Sequence, residues 1–498
     1  ILVLFFLVKG ILLAIIIKFT IFFANFLNYH WTSNLFKVYT SQPYIFFSKN
    51  NSSILIRNLK DEIGHTVHGI ILQFSHLIAE TFLVLGILIF LLYLQPLMTF
   101  LALIYFVLIN FSYFYVTKKF LYSWGQQRQY YEGLRFKNLI QTFNGIKEIK
   151  LNSSENEFTE MYFNHSKKSI TLDGKSNFIN ALPRLMFEIF SIVVFVIFIY
   201  VIILSQKPLL EFVPIMGVFA FSAFKLLPSS NKILNCFQLI RYHLPSFYIV
   251  KDELNLSSKN SDFINSKSIT FNKDINFQNI SISYDNNLIL ENLNFQINKN
   301  EFIGIIGQSG SGKSTLINLL LGLIKPDHGD IKSDGVSIYN SEKNWKQKIS
   351  FIPQEIFLFD DSIKKNVAFT INEKLIDEKR VLESIKKANL STFVENLNNG
   401  INTTVGERGL KISGGQKQRI GIARALYKKS EILIFDEATS NLDQKTENEL
   451  MSSILNFKGK KTIIIIAHRM NIIKQCDKVY EIKNKNISLI NIRNKINE

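Results

Sequence analysis

"GIIGQSGSGKST", residues 304–315, decides how the second half of this chain folds. It fits the pattern G-x-x-x-x-G-K-[ST], running from Gly307 through Gly312 to Lys313 and Ser314. The apolar run "FIGIIG" (302–307) leads into it as a buried strand, and "STLINLLLGL" (314–323) follows as a helix. Between such a strand and helix, glycines let backbone N–H groups turn inward around phosphates, and the helix adds its positive end. Lys313 supplies a point charge to the β- and γ-phosphates, and the Ser314 hydroxyl can ligate Mg²⁺. The expected cradle is Gly307, Gln308, Ser309, Gly310, Ser311, Gly312, Lys313, Ser314 and Thr315.

Further along, "EILIFDEATS" (431–440) and "TIIIIAH" (462–468) read as two more buried strands. Near-continuous apolar strands between helices predict a mostly parallel sheet covered on both faces. Such sheets bind ligands at the C-terminal ends of their strands. Asp436 ends one strand, which places a carboxylate to hold the metal directly or through water. Glu437 follows it as a candidate general base for a hydrolytic water. His468, at the end of the other strand, is a candidate to contact the γ-phosphate and orient that water.

Four stretches follow one another in order: "GQSGSGKST", "ISGGQKQR" (412–419), "ILIFDEATSNLD" (432–443) and "AHR" (467–469). Together they resemble the nucleotide-binding domain of ABC transporters, and the ISGGQ element is specific to that family. The resemblance implies ATP as the nucleotide. It implies that Tyr284 stacks on adenine, and that Gln354, in "FIPQEIFLFDDSI" (351–363), senses Mg²⁺ and communicates with the membrane domain. Ser314, Gln354 and Asp436 would hold Mg²⁺ together with ATP. Ser413, Gly414, Gly415 and Gln416 would grip the ATP bound by the opposite subunit, and Asp443 would lie in the loop crossing the dimer interface. Glycines followed by a helix make a second phosphate cradle. Because it cannot reach the Lys313 loop of its own chain, two chains would sandwich two ATP molecules. Both half-sites are complete in this one sequence, which predicts a homodimer. Ile412 stands where Leu is usual and Asn441 where Ala is commoner. Neither removes a catalytic atom, so ATP hydrolysis is expected.

The first half has a different composition. The whole chain is 47% hydrophobic with a mean hydropathy of +0.14, and the apolar residues cluster early. A spanning helix needs about 20 apolar residues. Five stretches qualify: 1–26, 70–94, 97–116, 185–204 and 209–228. Gln95 and Pro96 make one tight hairpin, and residues 205–208 make another. The connection 27–69 carries four Lys or Arg residues and the connection 117–180 carries ten, so these long connections are expected to face the cytoplasm. Both look helical, with turns near 40–60 and 145–160. His76 with Glu80, and Arg184 with Glu188, are charged pairs four apart inside spans. Each reads either as lining for a substrate path or as a pair satisfied near the interface. The net charge of +17 comes without a basic run interleaved with aromatics, which argues against nucleic acid as a partner. Cys236 and Cys476 are too few and too far apart for a disulfide framework or a metal cluster.

The fold class expected is an α-helical transmembrane domain of the exporter type (1–250), a linker (251–270) and an α/β P-loop nucleotide-binding domain (271–498). Exporter half-transporters have six spans, so the chain reads as a piece whose first span lies upstream. "ALPRLMFEIF" (181–190) and "FSAFKLLPSSNKILNCFQLIRYH" (221–243) are similar to bacterial flippases of lipid-linked oligosaccharides. That resemblance implies multi-pass placement in a bacterial plasma membrane with a cytoplasmic nucleotide domain. It also implies a lipid-linked glycan as cargo, with Arg184 and Lys225 meeting its pyrophosphate. The alternative is an exporter of drugs, peptides or a lipid A type molecule.

Overall fold

The computed structural model describes residues 1–94, 96–204, 209–256, 269–284, 287–370, 372–437, 444–467 and 469–490. The chain forms two compact units, residues 1–42 with 46–262, and residues 263–498 with the short stretch 43–45.

The first unit is helical. α1 (Leu2–Ser41), α5 (Leu72–Leu94), α6 (Pro96–Asn144), α8 (Glu155–Leu204) and α9 (Leu209–Asn255) are the long elements. Short helices α2 (Tyr44–Lys49), α3 (Ser52–Arg57) and α4 (Ile63–Thr66) bridge α1 to α5, and α7 (Ile146–Leu151) bridges α6 to α8. These breaks fall where turns were expected. Asn51 caps α3 by accepting the Ser53 N–H at 3.0 Å, and so starts the chain in a new direction. Among the described residues, Val3–Ser41 and Ser52–Leu94 combine the length and apolar content that a membrane crossing needs. The remaining expected spans fall on α6, α8 and α9, while Gln95 and the hairpin 205–208 lie outside the described residues. α9 also runs five residues into the expected linker. It does so because Val250 is buried with Ala24, Leu35 and Tyr39, and Leu254 packs against the same cluster.

A buried ionic knot ties these helices together beyond the apolar spans. Two π-turns, Asn58–Glu62 and Val67–Ile71, interrupt the path between α3 and α5. Arg57 Nε sits 3.2 Å from the Glu62 carboxylate, with both side chains buried. Its Nη1 donates to the Gln129 carbonyl at 3.1 Å. Asn58 donates to Tyr39 Oη at 3.1 Å and to Glu253 at 3.3 Å. Removing one partner of such a pair strands the other charge, at about 3–5 kcal/mol.

The second unit is α/β. A four-stranded antiparallel sheet runs in the order β2-β1-β4-β5, with β1 (Asp274–Tyr284), β2 (Asn287–Asn298), β4 (His328–Ser333) and β5 (Val336–Ser337). A six-stranded sheet runs β10-β9-β3-β8-β7-β6. Its strands are β3 (Phe302–Gly307), β6 (Ile349–Ile352), β7 (Ile432–Asp436), β8 (Thr462–Ile466), β9 (Lys478–Lys483) and β10 (Asn486–Ile490). All its pairings are parallel except β9 with β10. Helices α10 (Lys313–Leu320) to α17 (Met470–Ile473) surround this sheet, including α13 (Glu378–Lys387), α15 (Gly414–Tyr427) and α16 (Gln444–Leu455). Successive strand residues enter opposite cores. Leu433, Phe435, Ile463 and Ile465 pack with α13 and α15. Ile432, Ile434, Ile464 and Ile466 pack with α10 and the antiparallel sheet. This alternation is why the strands read as unbroken apolar runs. The antiparallel sheet was not foreseen, because its strands alternate polar and apolar residues among asparagines.

Glu132 of α6 lies 3.9 Å from His65 and 4.0 Å from Arg128. Burial lifts its carboxyl from 4.5 to about 7; Glu62 and Asp61 push the same way, while Arg128 and Arg135 oppose. Between those values the folded chain holds a proton that the unfolded chain releases. Stability from this group is therefore greatest below the unfolded value and falls as pH rises through about 7. Melting midpoints of the solubilised protein and of Glu132→Gln should thus converge at acid pH and diverge, with the variant more stable, toward neutrality. A constant difference from acid to neutral pH contradicts the assignment.

Candidate functional site

The glycine loop lies at the C-terminal end of β3, which is fully buried from Phe302 to Ile305. Gly310 (φ 78°) and Gly312 (φ 103°) occupy left-handed backbone conformations that favour glycine. A Cβ on Gly312 would also stand 2.7 Å from Leu290 Cδ2. The loop therefore needs glycine there for two independent reasons. Lys313 opens α10 and is buried, and its Nζ donates to the carbonyls of Gly307 at 2.8 Å and Gln308 at 2.9 Å. Ser311 Oγ, in the same loop, is buried and has no hydrogen-bond partner among the described residues. Ser314 and Thr315 follow in the first turn of α10.

Sheet order brings the other expected groups alongside. Ile305 of β3 pairs with Ile466 of β8, which pairs with Asp436 of β7. Asp436 is half-buried, and its carboxyl is raised by burial and by the neighbouring Glu437, against the pull of Lys313. One sheet edge thus carries the phosphate loop and two carboxylates. Glu437 adopts a left-handed φ of 47° and donates its N–H to the Ile466 carbonyl at 3.2 Å. For a glutamate this conformation is strained by about 1–3 kcal/mol and persists only where surrounding structure enforces it. Gln354 is exposed two residues beyond β6, the strand next to β7. Tyr284 ends β1, opposite Asn287. His468 and Asp443 lie outside the described residues.

Ser413 caps α15 in a reciprocal box: its hydroxyl accepts the Gln416 N–H at 3.3 Å, and the Gln416 amide oxygen accepts the Ser413 N–H at 2.8 Å. Ser413 and Gly414 stay exposed, at the positive end of a fourteen-residue helix. α15 and α10 pack against opposite faces of the sheet. Sequence reasoning missed Gln418, which is buried and donates from Nε2 to the Gln354 carbonyl at 2.6 Å. It ties the capped helix to the loop after β6. The available signal was a polar residue on the sheet-facing side of α15.

The charged pairs of the helical unit resolve differently from one another. Arg184 pairs with Glu188 within α8 at 3.2 Å, whereas Glu80 reaches across to Lys232 of α9 at 2.8 Å.

Residues 290–440 match a family model described as ABC transporter. The leukotoxin translocation ATP-binding protein LktB of Mannheimia glucosida is 42% identical over 209 residues, which are 41% of this chain and 29% of that protein. The alpha-hemolysin translocation ATP-binding protein HlyB of Escherichia coli O157:H7 is 41% identical over 218 residues, 43% of this chain and 31% of that protein. The match therefore spans under a third of the length of these curated relatives. A solved structure, described as a bacterial Atm1-family ABC exporter with ATP bound, is 23% identical. It covers 93% of this chain and 82% of its own, with a TM-score of 0.79. The fold is that of an exporter: a helical transmembrane domain followed by an α/β ABC nucleotide-binding domain.

Gly312→Ala should weaken ATP binding by an amount matching about 1–3 kcal/mol of backbone strain, read by titration with a fluorescent ATP analogue. Gly414→Ala should leave single-chain affinity unchanged, because a Cβ there meets nothing within 4 Å. Equal losses in both variants contradict the division of labour between the cradles.

Proposed function

We propose that the chain is one half of an ATP-driven exporter, working by alternating access as a pair of identical copies in a bacterial plasma membrane. The observation that supports this reading is the ABC transporter match over residues 290–440, with the Lys313 helix α10 and the Ser413 helix α15 in opposite cores of one sheet. Each ATP would be held between the Lys313 loop of one copy and the Ser413 helix end of the other. Lys313 orients the phosphates, and Tyr284 contributes a ring for adenine. Glu437 acts as base toward the attacking water, and the family resemblance would assign His468 to the γ-phosphate and Asp443 to the contact between copies. Hydrolysis then releases the clamp.

The donor set suits Mg²⁺, because Ser314, Gln354 and Asp436 offer hydroxyl, amide and carboxylate oxygens. The half-buried Asp436 carboxyl, raised by burial and by Glu437, is a place where added positive charge is welcome. When bound, the ion would neutralise charge on the transferred phosphoryl group.

For cargo, export of a toxin-like polypeptide has support from the names of the two relatives, which speak of leukotoxin and alpha-hemolysin translocation. The lipid-linked oligosaccharide reading has no such support. Arg184, one of its two proposed pyrophosphate contacts, is ion-paired within its own helix.

Glu437→Gln should keep ATP affinity, lower turnover by roughly 10²–10⁴-fold, and accumulate ATP-bound dimers on size exclusion. Full turnover in that variant removes Glu437 as the base. In proteoliposomes, ATPase activity should respond to an unfolded polypeptide and not to polyprenyl-linked sugars; the reverse response overturns the cargo assignment.

A further inference from the structure

The helical unit has an open cleft of about 500 Å³ between α5 and α9. Its wall is apolar, formed by Gly86, Ile87 and Phe90 of α5 and by Gly217, Val218 and Phe221 of α9. The two glycines leave the cleft open, since a Cβ built on either meets nothing within 4 Å, and Phe90 and Phe221 are exposed along it.

One end of the cleft is chemically different. Ser222 and Lys225 of α9 complete the lining. The Lys225 ammonium rests 5.9 Å from the centre of the Phe224 ring, and among the described residues no carboxylate is ion-paired with it. Glu80 of α5 is engaged with Lys232 at 2.8 Å. Among the described residues, Lys225 is thus a cation without an ion-pair partner at the mouth of an apolar cleft.

Depth identifies what fits. With the basic connections on the cytoplasmic side, α9 enters the bilayer from the outer surface near Leu209. At about 1.5 Å per residue, Gly217 lies roughly 12 Å down and Lys225 roughly 24 Å down. Against a hydrocarbon layer of ~30 Å, that sets Lys225 near the inner headgroup level and the glycines near the midplane. The cleft has the polarity and direction of an amphiphile of the cytoplasmic leaflet, with its charge below and its chain above. Volumes of this size are typical of small-molecule sites, and the cytoplasmic leaflet is rich in anionic lipid.

We propose that this cleft binds one acyl chain of an anionic phospholipid from the cytoplasmic leaflet, with its phosphate on Lys225. The site goes beyond the export reading and holds whichever cargo is moved. A second copy of the chain is the rival occupant, but it would have to bring an acid to Lys225.

The test uses the full chain in mild detergent and native mass spectrometry with phosphatidylglycerol or phosphatidylcholine of the same acyl chains. The wild type should retain phosphatidylglycerol at least tenfold more strongly. Lys225→Gln should bring that ratio close to one while leaving phosphatidylcholine binding unchanged. Gly217→Leu, and separately Gly86→Leu from the opposite helix, should lose both lipids while ATP binding and elution volume stay as in the wild type. Excess inorganic phosphate should not displace the lipid. An unchanged ratio in Lys225→Gln, or lipid retained in both leucine variants, overturns the proposal. So does efficient cross-linking of Phe221→Cys to the same position of a second copy, which assigns the cleft to packing between chains.

Discussion

The constraint on which the rest depends is the turn between β3 and α10. β3 is buried on both faces, so its last residues cannot shift without opening two cores at once. The turn that leaves it needs a left-handed Gly312 lodged against Leu290. Lys313 is thereby fixed at the base of the loop, bonded to the carbonyls of Gly307 and Gln308. A rigid strand feeding a glycine turn pre-organises backbone donors for phosphate, and pre-organisation is what makes such donors effective.

Parallel pairing spreads that rigidity sideways. Because β8 and β7 continue in register from β3, the end of one buried strand defines the ends of its neighbours. Asp436 and Glu437 are held on the same edge as the loop, and Gln354 follows the adjacent strand. The two-faced sheet also divides α10 from α15, which belong to opposite cores, and Gln418 links the capped helix to the loop after β6. On the proposed reading, a nucleotide that needs both helix ends draws them from two copies.

Much of this was legible from residues alone. Gly312 and Lys313 specify their turn through backbone rules, and Ile432–Phe435 and Thr462–Ile466 specify buried parallel strands through unbroken apolarity. The long helices followed from apolar length, and their breaks fall within the turns expected near 40–60 and 145–160. Other features were hidden for physical reasons. β1 and β2 are strands whose polar residues face solvent amid asparagines, a pattern shared with loops. Glu80 is satisfied by Lys232 from a helix about 150 residues away, and no local spacing announces such a partner. Glu132 owes its raised carboxyl mainly to burial, with Glu62 and Asp61 adding to it, and none of this is visible in local spacing. α9 outran the expected linker because Val250 and Leu254 find a core made by α1. Gln418 sits in a quoted motif, yet its role depends on which face of α15 meets the sheet.

The central claim is that each working site is shared between two copies. It is tested most directly by mixing two inactive chains, Lys313→Ala, which lacks the phosphate cation, and Ser413→Arg, which blocks the opposing helix end. In a mixed pair, one site inherits both defects and the other inherits neither. ATP hydrolysis by the co-reconstituted mixture should therefore rise well above the sum of the separate preparations. A mixture that never exceeds that sum would place the whole site within one chain and contradict the account.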